Sequence, residues 1–144
     1  MLNNLLMLGS TRIMWLIRFT AFQGILLAGM LLTMEHALLA AAVLLIKGAL
    51  LPGLLWRTRN RLHSHHRMRP RMHVAVGVLA GMGGLVLSLW LEARLLTLPA
   101  LFPPLLLPTA LTTLFCGLIL VVGRTTALAQ VIGYLVAENG IFLL

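Results

Sequence analysis

Long apolar stretches, interrupted by short polar connections, dominate this chain. A helix rises about 1.5 Å per residue, so about 20 mostly apolar residues are needed to cross about 30 Å of hydrocarbon with every backbone amide satisfied. The pattern therefore predicts an all-α integral membrane protein, a single domain over residues 1–144 built as a bundle of about five transmembrane helices. The predicted spans lie near Ile13–Leu32, Ala37–Trp56, Val74–Leu91, Leu105–Val122 and Ala127–Leu144.

The two ends of the chain differ from the predicted spans. Residues 1–8 are apolar but too short to cross a bilayer, so they are either the stub of another span or an interfacial segment. The last span stays apolar through Leu144, with no polar residue to end it. We expect the natural chain to continue, which makes the fifth helix one truncated by the chain end.

Composition and charge agree with a membrane protein and give it an orientation. The sequence is 60% hydrophobic, with a mean hydropathy of +1.03, which excludes a water-soluble domain. Eleven Lys and Arg residues against three acids give a formal charge of +8, and six of those basic residues lie between Arg57 and Arg71. The positive-inside rule predicts a multi-pass membrane protein with the amino terminus and the Arg/His loop of residues 57–73 in the cytoplasm.

The Arg/His loop suggests lipid contact rather than metal binding. His63, His65 and His66 have a spacing that could ligate a metal, but an Arg-rich loop repels cations and no Cys or carboxylate assists. We predict that Arg57–Arg71 contacts anionic lipids or an acidic cytoplasmic partner. Since no aromatic residues alternate with the charges, we predict no nucleic-acid partner.

Lys47 lies in the middle of the second predicted span. An ammonium at that depth costs about 2.5 kcal/mol or more unless it is paired, hydrated or deprotonated, so the side chain should face protein. The alternative is that it snorkels to the membrane surface, which a lysine stem reaches poorly from the midplane.

Glu138 is the matching feature in the fifth predicted span. Thr126, Gln130, Tyr134 and Glu138 recur every four residues and form one polar stripe along the helix. This stripe could carry protons through its side chains and bound water, which makes Glu138, Lys47, Tyr134 and Gln130 the candidate ion pathway. The alternative is that these groups only hold helices together through hydrogen bonds.

Small residues predict where helices approach closely. Ala129, Gly133, Ala137 and Gly140 form one face of the fifth span, and Gly77 and Gly81 form a GxxxG motif in the third. These residues indicate helix packing and no chemistry.

The sequence predicts no catalytic centre, metal or cofactor in this chain. Cys116 is the single cysteine, so no pair is available for a cluster or a metal centre. There is also no arrangement of Ser, His and Asp, paired carboxylates or a Gly-rich phosphate loop. If the protein belongs to a redox assembly, the metals lie in other subunits.

Two segments resemble a known family. Residues 127–140, with Glu138-Asn139-Gly140, resemble the Glu-Asn-Gly helix of the hydrogenase-4 component E family. Gln23 and the segment from Lys47 to Pro52 are similar to that family's Gln and Lys-x-x-x-x-Pro segments. The family comprises membrane subunits of group 4 nickel–iron hydrogenases and formate hydrogenlyases, related to subunit K of respiratory complex I. The Arg/His loop is longer and more basic than the family pattern.

The resemblance implies a cofactor-free membrane subunit of a hydrogenase-like redox complex that contributes to proton or cation translocation through Glu138 and Lys47. It also implies a location in a bacterial inner membrane, with other membrane-arm subunits and cytoplasmic redox subunits as the expected partners. Two alternatives stay open. One is a purely structural membrane anchor, and the other is the equivalent of subunit K in a complex I or of the corresponding small subunit in a multisubunit cation/proton antiporter.

Overall fold

The computed structural model describes residues 2–33, 37–61, 73–95 and 105–144, and these ranges contain helices and no strand. The helices are α1 (Leu2–Gly9), α2 (Ile13–Thr33), α3 (Ala37–Arg61), α4 (Val74–Leu95), α5 (Leu106–Gly123) and α6 (Ala127–Leu143). Helices α2 to α5 are long and apolar enough to cross a membrane, and α6 is a shorter apolar helix. The predicted fold class, an all-α bundle of membrane helices, is confirmed.

Two helices extend past their predicted ends. Helix α3 continues from Trp56 to Arg61, so residues 57–61 of the predicted loop are helical, and α4 continues from Leu91 to Leu95. Arginine is a good helix former, and its charge is favourable beside the negative carboxyl end of a helix. The His63–His66 cluster and the rest of the predicted Arg/His loop between residues 62 and 72 lie outside the described residues.

The bundle is organised around the hairpin of α5 and α6. Helix α4 packs on α5, α2 packs on α6, and α3 packs on α2. The core between these helices is apolar and closely packed. Its fully buried side chains include Met7, Leu16, Leu120, Ile132 and Val136.

Glycines allow α5 and α6 to approach backbone to backbone. A Cβ atom on Gly133 would lie 2.8 Å from the Val121 nitrogen, and one on Gly140 would lie 2.5 Å from the Leu114 nitrogen. Ala137 contacts Gly117 in the same interface. The small-residue face of the sequence therefore lies against α5, as such faces do in membrane bundles.

Gly77 and Gly81 of α4 differ in their surroundings. Gly81 packs tightly on Leu8, whereas Gly77 has only an ordinary contact with Ile119, 4.0 Å from the place a Cβ atom would take. The close approach of the GxxxG motif is therefore made at Gly81, toward α1.

Helix α1 enters the interior of the bundle without crossing it. Its eight residues span about 12 Å. Asn4, Met7 and Leu8 are buried against the neighbouring helices α2, α4 and α5. An interfacial helix would leave one face on the membrane surface, so this part of the chain is a packed component of the bundle.

Candidate functional site

Lys47 lies in a local departure from α-helical geometry. Leu44–Leu50 is a π-helical segment, closed where the Leu51 N–H donates to the Ile46 carbonyl oxygen. Pro52 follows directly; it has no N–H for the Gly48 carbonyl, and its ring crowds that carbonyl in a regular α-helix. The wide turn accommodates the proline, and such turns occur often at functional positions.

Helix α2 fits against this segment through a glycine. A Cβ atom on Gly24 would lie 2.8 Å from both the carbonyl carbon and the carbonyl oxygen of Lys47. No residue larger than glycine fits there without a backbone shift. Gly24 therefore fixes the distance between α2 and the turn that carries the lysine.

The Lys47 side chain extends from α3 to α6 and forms an ion pair. Its Nζ lies 3.1 Å from Oε1 of Glu138, with the lysine side chain 13% exposed and the glutamate side chain 45% exposed. Lys47 is the eleventh residue of α3, and Glu138 is the twelfth residue of α6, about 17 Å from the start of that helix. Both charged groups therefore lie near half depth in the bundle.

Two further groups complete the surroundings of the ammonium. Nζ of Lys47 donates a hydrogen bond of 2.8 Å to Oδ1 of Asn139, and it lies 5.2 Å from the ring centroid of Phe142. A carboxylate, an amide oxygen and an aromatic face are all complementary to a cation. Three side chains of one helix thus hold a lysine that a different helix supplies.

A line of buried amides continues from Asn139 across the bundle. Nδ2 of Asn139 donates to Oε1 of Gln23 at 3.4 Å, and Nε2 of Gln23 donates to Oδ1 of Asn4. Nδ2 of Asn4 then donates to Oγ1 of Thr113 at 2.7 Å. Each of these four side chains is less than 10% exposed. We call Lys47, Asn139, Gln23, Asn4 and Thr113 the transverse network.

The transverse network has one direction. Each amide side chain accepts a hydrogen bond from the neighbour nearer to Lys47 and donates one to the next neighbour. Thr113 Oγ1 ends the series by donating to the Thr109 carbonyl oxygen at 2.6 Å. Hydrogen bonds aligned in this way polarise one another. The amide oxygen next to Lys47 is therefore made more negative, and the network positions the ammonium.

The polar stripe of α6 occupies a different surface. Gln130 and Tyr134 are exposed, Tyr134 by 66%, and Gln130 Nε2 donates to the Arg124 carbonyl oxygen at 3.1 Å. The structure brings Glu138 and Lys47 together and leaves Gln130 and Tyr134 exposed on the surface of α6, about two turns and about one turn before Glu138. The four predicted pathway residues are thus an ion pair and two side chains on the outside of the bundle.

Sequence reasoning missed part of this site. It named Gln23 and Asn139 only in the segments that resemble a known family, and it assigned nothing to Asn4 or Thr113. Asn4 carried a usable signal, because a polar amide in an apolar eight-residue helix needs a buried partner. No such signal marked Thr113, since a membrane helix satisfies a threonine hydroxyl with its own backbone.

No group of three His, Cys, Asp or Glu side chains that could hold a metal occurs in residues 2–33, 37–61, 73–95 and 105–144. Comparison of the chain with models of protein families, with curated proteins and with solved structures finds no match.

Proposed function

We propose that this chain is a cofactor-free membrane subunit of a hydrogenase-like redox complex and contributes to proton or cation translocation through Lys47 and Glu138. The observation that carries the proposal is the 3.1 Å ion pair between these residues near half depth. The resemblance of the Lys47–Pro52 and Glu138–Gly140 segments to the hydrogenase-4 component E family supports the choice of assembly.

An intramembrane ion pair is suited to moving charge because each partner stabilises the other's charged form. At 3.1 Å the attraction offsets part of the cost of removing both groups from water. When the partners separate, each charge loses that compensation, and proton release from Lys47 or uptake by Glu138 relieves the cost. A small change in the α3–α6 distance can therefore drive proton transfer.

The exposure of Glu138 favours a neighbouring protein on its flank. The carboxylate side chain is 45% exposed within this chain. A charge facing lipid near the membrane centre costs about 2.5–3.5 kcal/mol, so protein or water should cover it. Gln130 and Tyr134, exposed on the same helix, offer a neighbouring membrane protein hydrogen-bonding groups.

The basic end of the bundle faces the cytoplasm of a bacterium in this proposal. The end where α3 terminates carries Arg57, Arg59 and Arg61. Arg94 lies at the opposite end of α4. The positive-inside rule then orients the protein, and anionic lipids and cytoplasmic redox subunits are the partners at the basic end.

Glu138→Gln tests the proposal in the assembled complex. The substitution keeps the shape and hydrogen-bonding capacity of the side chain and removes its charge. We expect intact assembly and a redox reaction that no longer drives proton or cation uptake, measured in inverted vesicles. Glu92→Gln is the control: Glu92 accepts a 2.8 Å hydrogen bond from the Leu105 N–H, which glutamine can also accept. Normal ion uptake in the Glu138→Gln complex refutes the translocation role.

A structural anchor is the second candidate, favoured by the buried transverse network. Hydrogen bonds of this kind join membrane helices in many proteins that move no ion. In that case Glu138→Gln is silent in uptake, while changes within the transverse network reduce assembly. Mild-detergent co-purification then identifies the assembly by whether hydrogenase-type, complex I-type or antiporter-type subunits accompany the chain.

A further inference from the structure

The charge of Lys47 decides how the first amide of the transverse network is oriented. A lysine ammonium has three N–H donors and no acceptor. Asn139 therefore presents Oδ1 to Nζ of Lys47, at 2.8 Å. The opposite orientation would place the Nδ2 donors of Asn139 against the ammonium, so that donors face each other and no hydrogen bond forms. A charged Lys47 thus permits only one orientation of Asn139.

The orientation of Asn139 fixes that of the next two amides. Its Nδ2 donates to Oε1 of Gln23 at 3.4 Å, and Nε2 of Gln23 donates to Oδ1 of Asn4. All three side chains are buried. Reversing one of them alone would set two donors or two acceptors against each other, and a buried polar group that is left without a partner is costly. The three amides therefore reverse together or keep their present direction.

The far end of the transverse network is compatible with either direction. The hydroxyl of Thr113 accepts from Nδ2 of Asn4 at 2.7 Å and donates to the Thr109 carbonyl oxygen at 2.6 Å. A hydroxyl can donate as well as accept, and it rotates to suit its neighbours. In the reversed direction it would donate to Oδ1 of Asn4, while the Thr109 carbonyl oxygen would keep its backbone hydrogen bond within α5. Of the two ends, Lys47 is therefore the one that selects the direction.

A neutral Lys47 makes no such selection. Proton transfer from Lys47 to Glu138, whose Oε1 lies 3.1 Å from Nζ, would produce this state. The amine keeps two N–H donors and gains a lone pair, so Nδ2 of Asn139 can then donate to it. Both directions of the transverse network then satisfy every amide.

We propose that Asn139, Gln23, Asn4 and Thr113 are positioning residues whose hydrogen-bond direction is set by the charge of Lys47. The ammonium holds them in the present direction, and the neutral amine allows them to reverse as a unit. The loss of one charge on α3 is thus transmitted through α6, α2 and α1 to a hydroxyl of α5. By linkage the effect is reciprocal, so a group that fixes the direction at Thr113 also biases the charge of Lys47. The inference concerns the charge of the lysine and not ion movement, so it does not depend on the proposed function.

Magic-angle-spinning NMR of the full-length chain in lipid vesicles tests the direction. Lys47 is the single lysine of the sequence, and Gln23 and Gln130 are its two glutamines. With isotope-labelled nitrogen in the glutamine side chains and isotope-labelled carbon in the asparagine side chains, dipolar coupling shows whether Nε2 of Gln23 lies nearer to Cγ of Asn4 or to Cγ of Asn139. In the wild type we expect the stronger coupling to Asn4.

Neutral substitutions of Lys47 should reverse the transverse network. In Lys47→Gln the new amide can donate to Glu138 and accept from Asn139, which is the reversed arrangement. Lys47→Met provides an unbranched side chain without a polar end, so it selects neither direction. In both variants we expect the coupling of Gln23 to Asn4 to fall at least about twofold, with a matching rise in its coupling to Asn139, as the reversed state becomes populated. Lys47→Arg keeps a charged group that only donates, so it should retain the wild-type direction.

Gln130 is the internal control, because its Nε2 donates to the Arg124 carbonyl oxygen outside the transverse network. Its signal should be the same in every variant, which also shows that the bundle is intact. Reversal in either neutral variant, with one direction in the wild type and in Lys47→Arg, supports the inference. A network that only joins helices keeps one direction whatever the charge at position 47. The wild-type direction in both neutral variants, or a mixture of directions in the wild type or in Lys47→Arg, therefore overturns the inference.

Discussion

At the scale of single residues, Lys47 has two polar partners with different surroundings. Glu138 is half exposed on the flank of the bundle, whereas Asn139 is buried and continues into the transverse network. Neighbouring positions on one helix therefore separate two tasks. The carboxylate is open on the flank of the bundle, and the amide fixes where the ammonium lies.

Replacing Asn139 should show that the transverse network acts as a unit. Asn139→Leu removes the acceptor for Lys47 and the donor to Gln23, so we expect the free energy of unfolding in mixed micelles to fall by about 1–3 kcal/mol. Asn4→Leu should have a similar effect, and the double variant should lose less than the sum of the two. Tyr134→Phe, on the exposed flank, should change little. If the losses of unfolding free energy in the two single variants add up exactly in the double variant, the transverse network does not act as a unit.

At the scale of elements, the geometry of α3 decides where Lys47 points. The π-helical segment Leu44–Leu50 precedes Pro52 and turns the lysine toward α6, while Gly24 of α2 lies against the Lys47 carbonyl. Pro52, the π-helical segment and Gly24 thus form one structural arrangement. The wide turn accommodates the proline ring, and the glycine leaves space for the backbone of that turn.

Gly24→Ala should disturb this arrangement specifically. The new Cβ atom would lie 2.8 Å from the Lys47 carbonyl oxygen, so α2 and α3 must separate. We expect a loss of about 1–3 kcal/mol in the free energy of unfolding, measured by titration with a denaturing detergent. Gly29→Ala, on the same helix with nothing within 4 Å, should be neutral or slightly stabilising because alanine favours helix. Equal stability of the two variants contradicts the packing role of Gly24.

At the scale of the whole molecule, the bundle is polar at one end and along one transverse line. Arg124 joins α1 to the α5–α6 junction at the basic end, and the transverse network joins α1, α2, α5 and α6 to Lys47 of α3 at half depth. Most of the remaining interior is apolar packing around α5 and α6, with the buried hydroxyl pair of Ser88 and Thr112 between α4 and α5. Helix α1 takes part in both polar regions, which explains why so short a helix is buried.

The α5–α6 hairpin should be the part on which the entire bundle depends. Gly133→Leu introduces a side chain where a Cβ atom would already lie 2.9 Å from Cβ of Leu120, so we expect the monodisperse species to be lost in size-exclusion chromatography. Gly53→Leu is the control, since a Cβ atom there meets nothing within 4 Å. If the Gly133→Leu protein remains monodisperse, the bundle tolerates separation of α5 from α6, which contradicts the prediction.

The sequence by itself determined the class of the protein, the approximate helix bounds and the depth of its charges. Apolar runs of a fixed length define membrane spans, and counting along each run places Lys47 and Glu138 at similar depth. The ends of α3 and α4 were less predictable, because helices extend into polar flanks that hydropathy does not distinguish from loops.

The tertiary structure alone decided which helices are neighbours and which of their faces are buried. In lipid the outside of a bundle is as apolar as its inside. The length of an apolar run therefore indicates depth in the membrane, but the pattern within the run does not show which face of the helix is buried. The stripe containing Gln130 and Tyr134 could therefore not be assigned a side from its spacing. Asn4 and Thr113, 109 positions apart, meet only through packing, and the partners of Lys47 were fixed by that same packing.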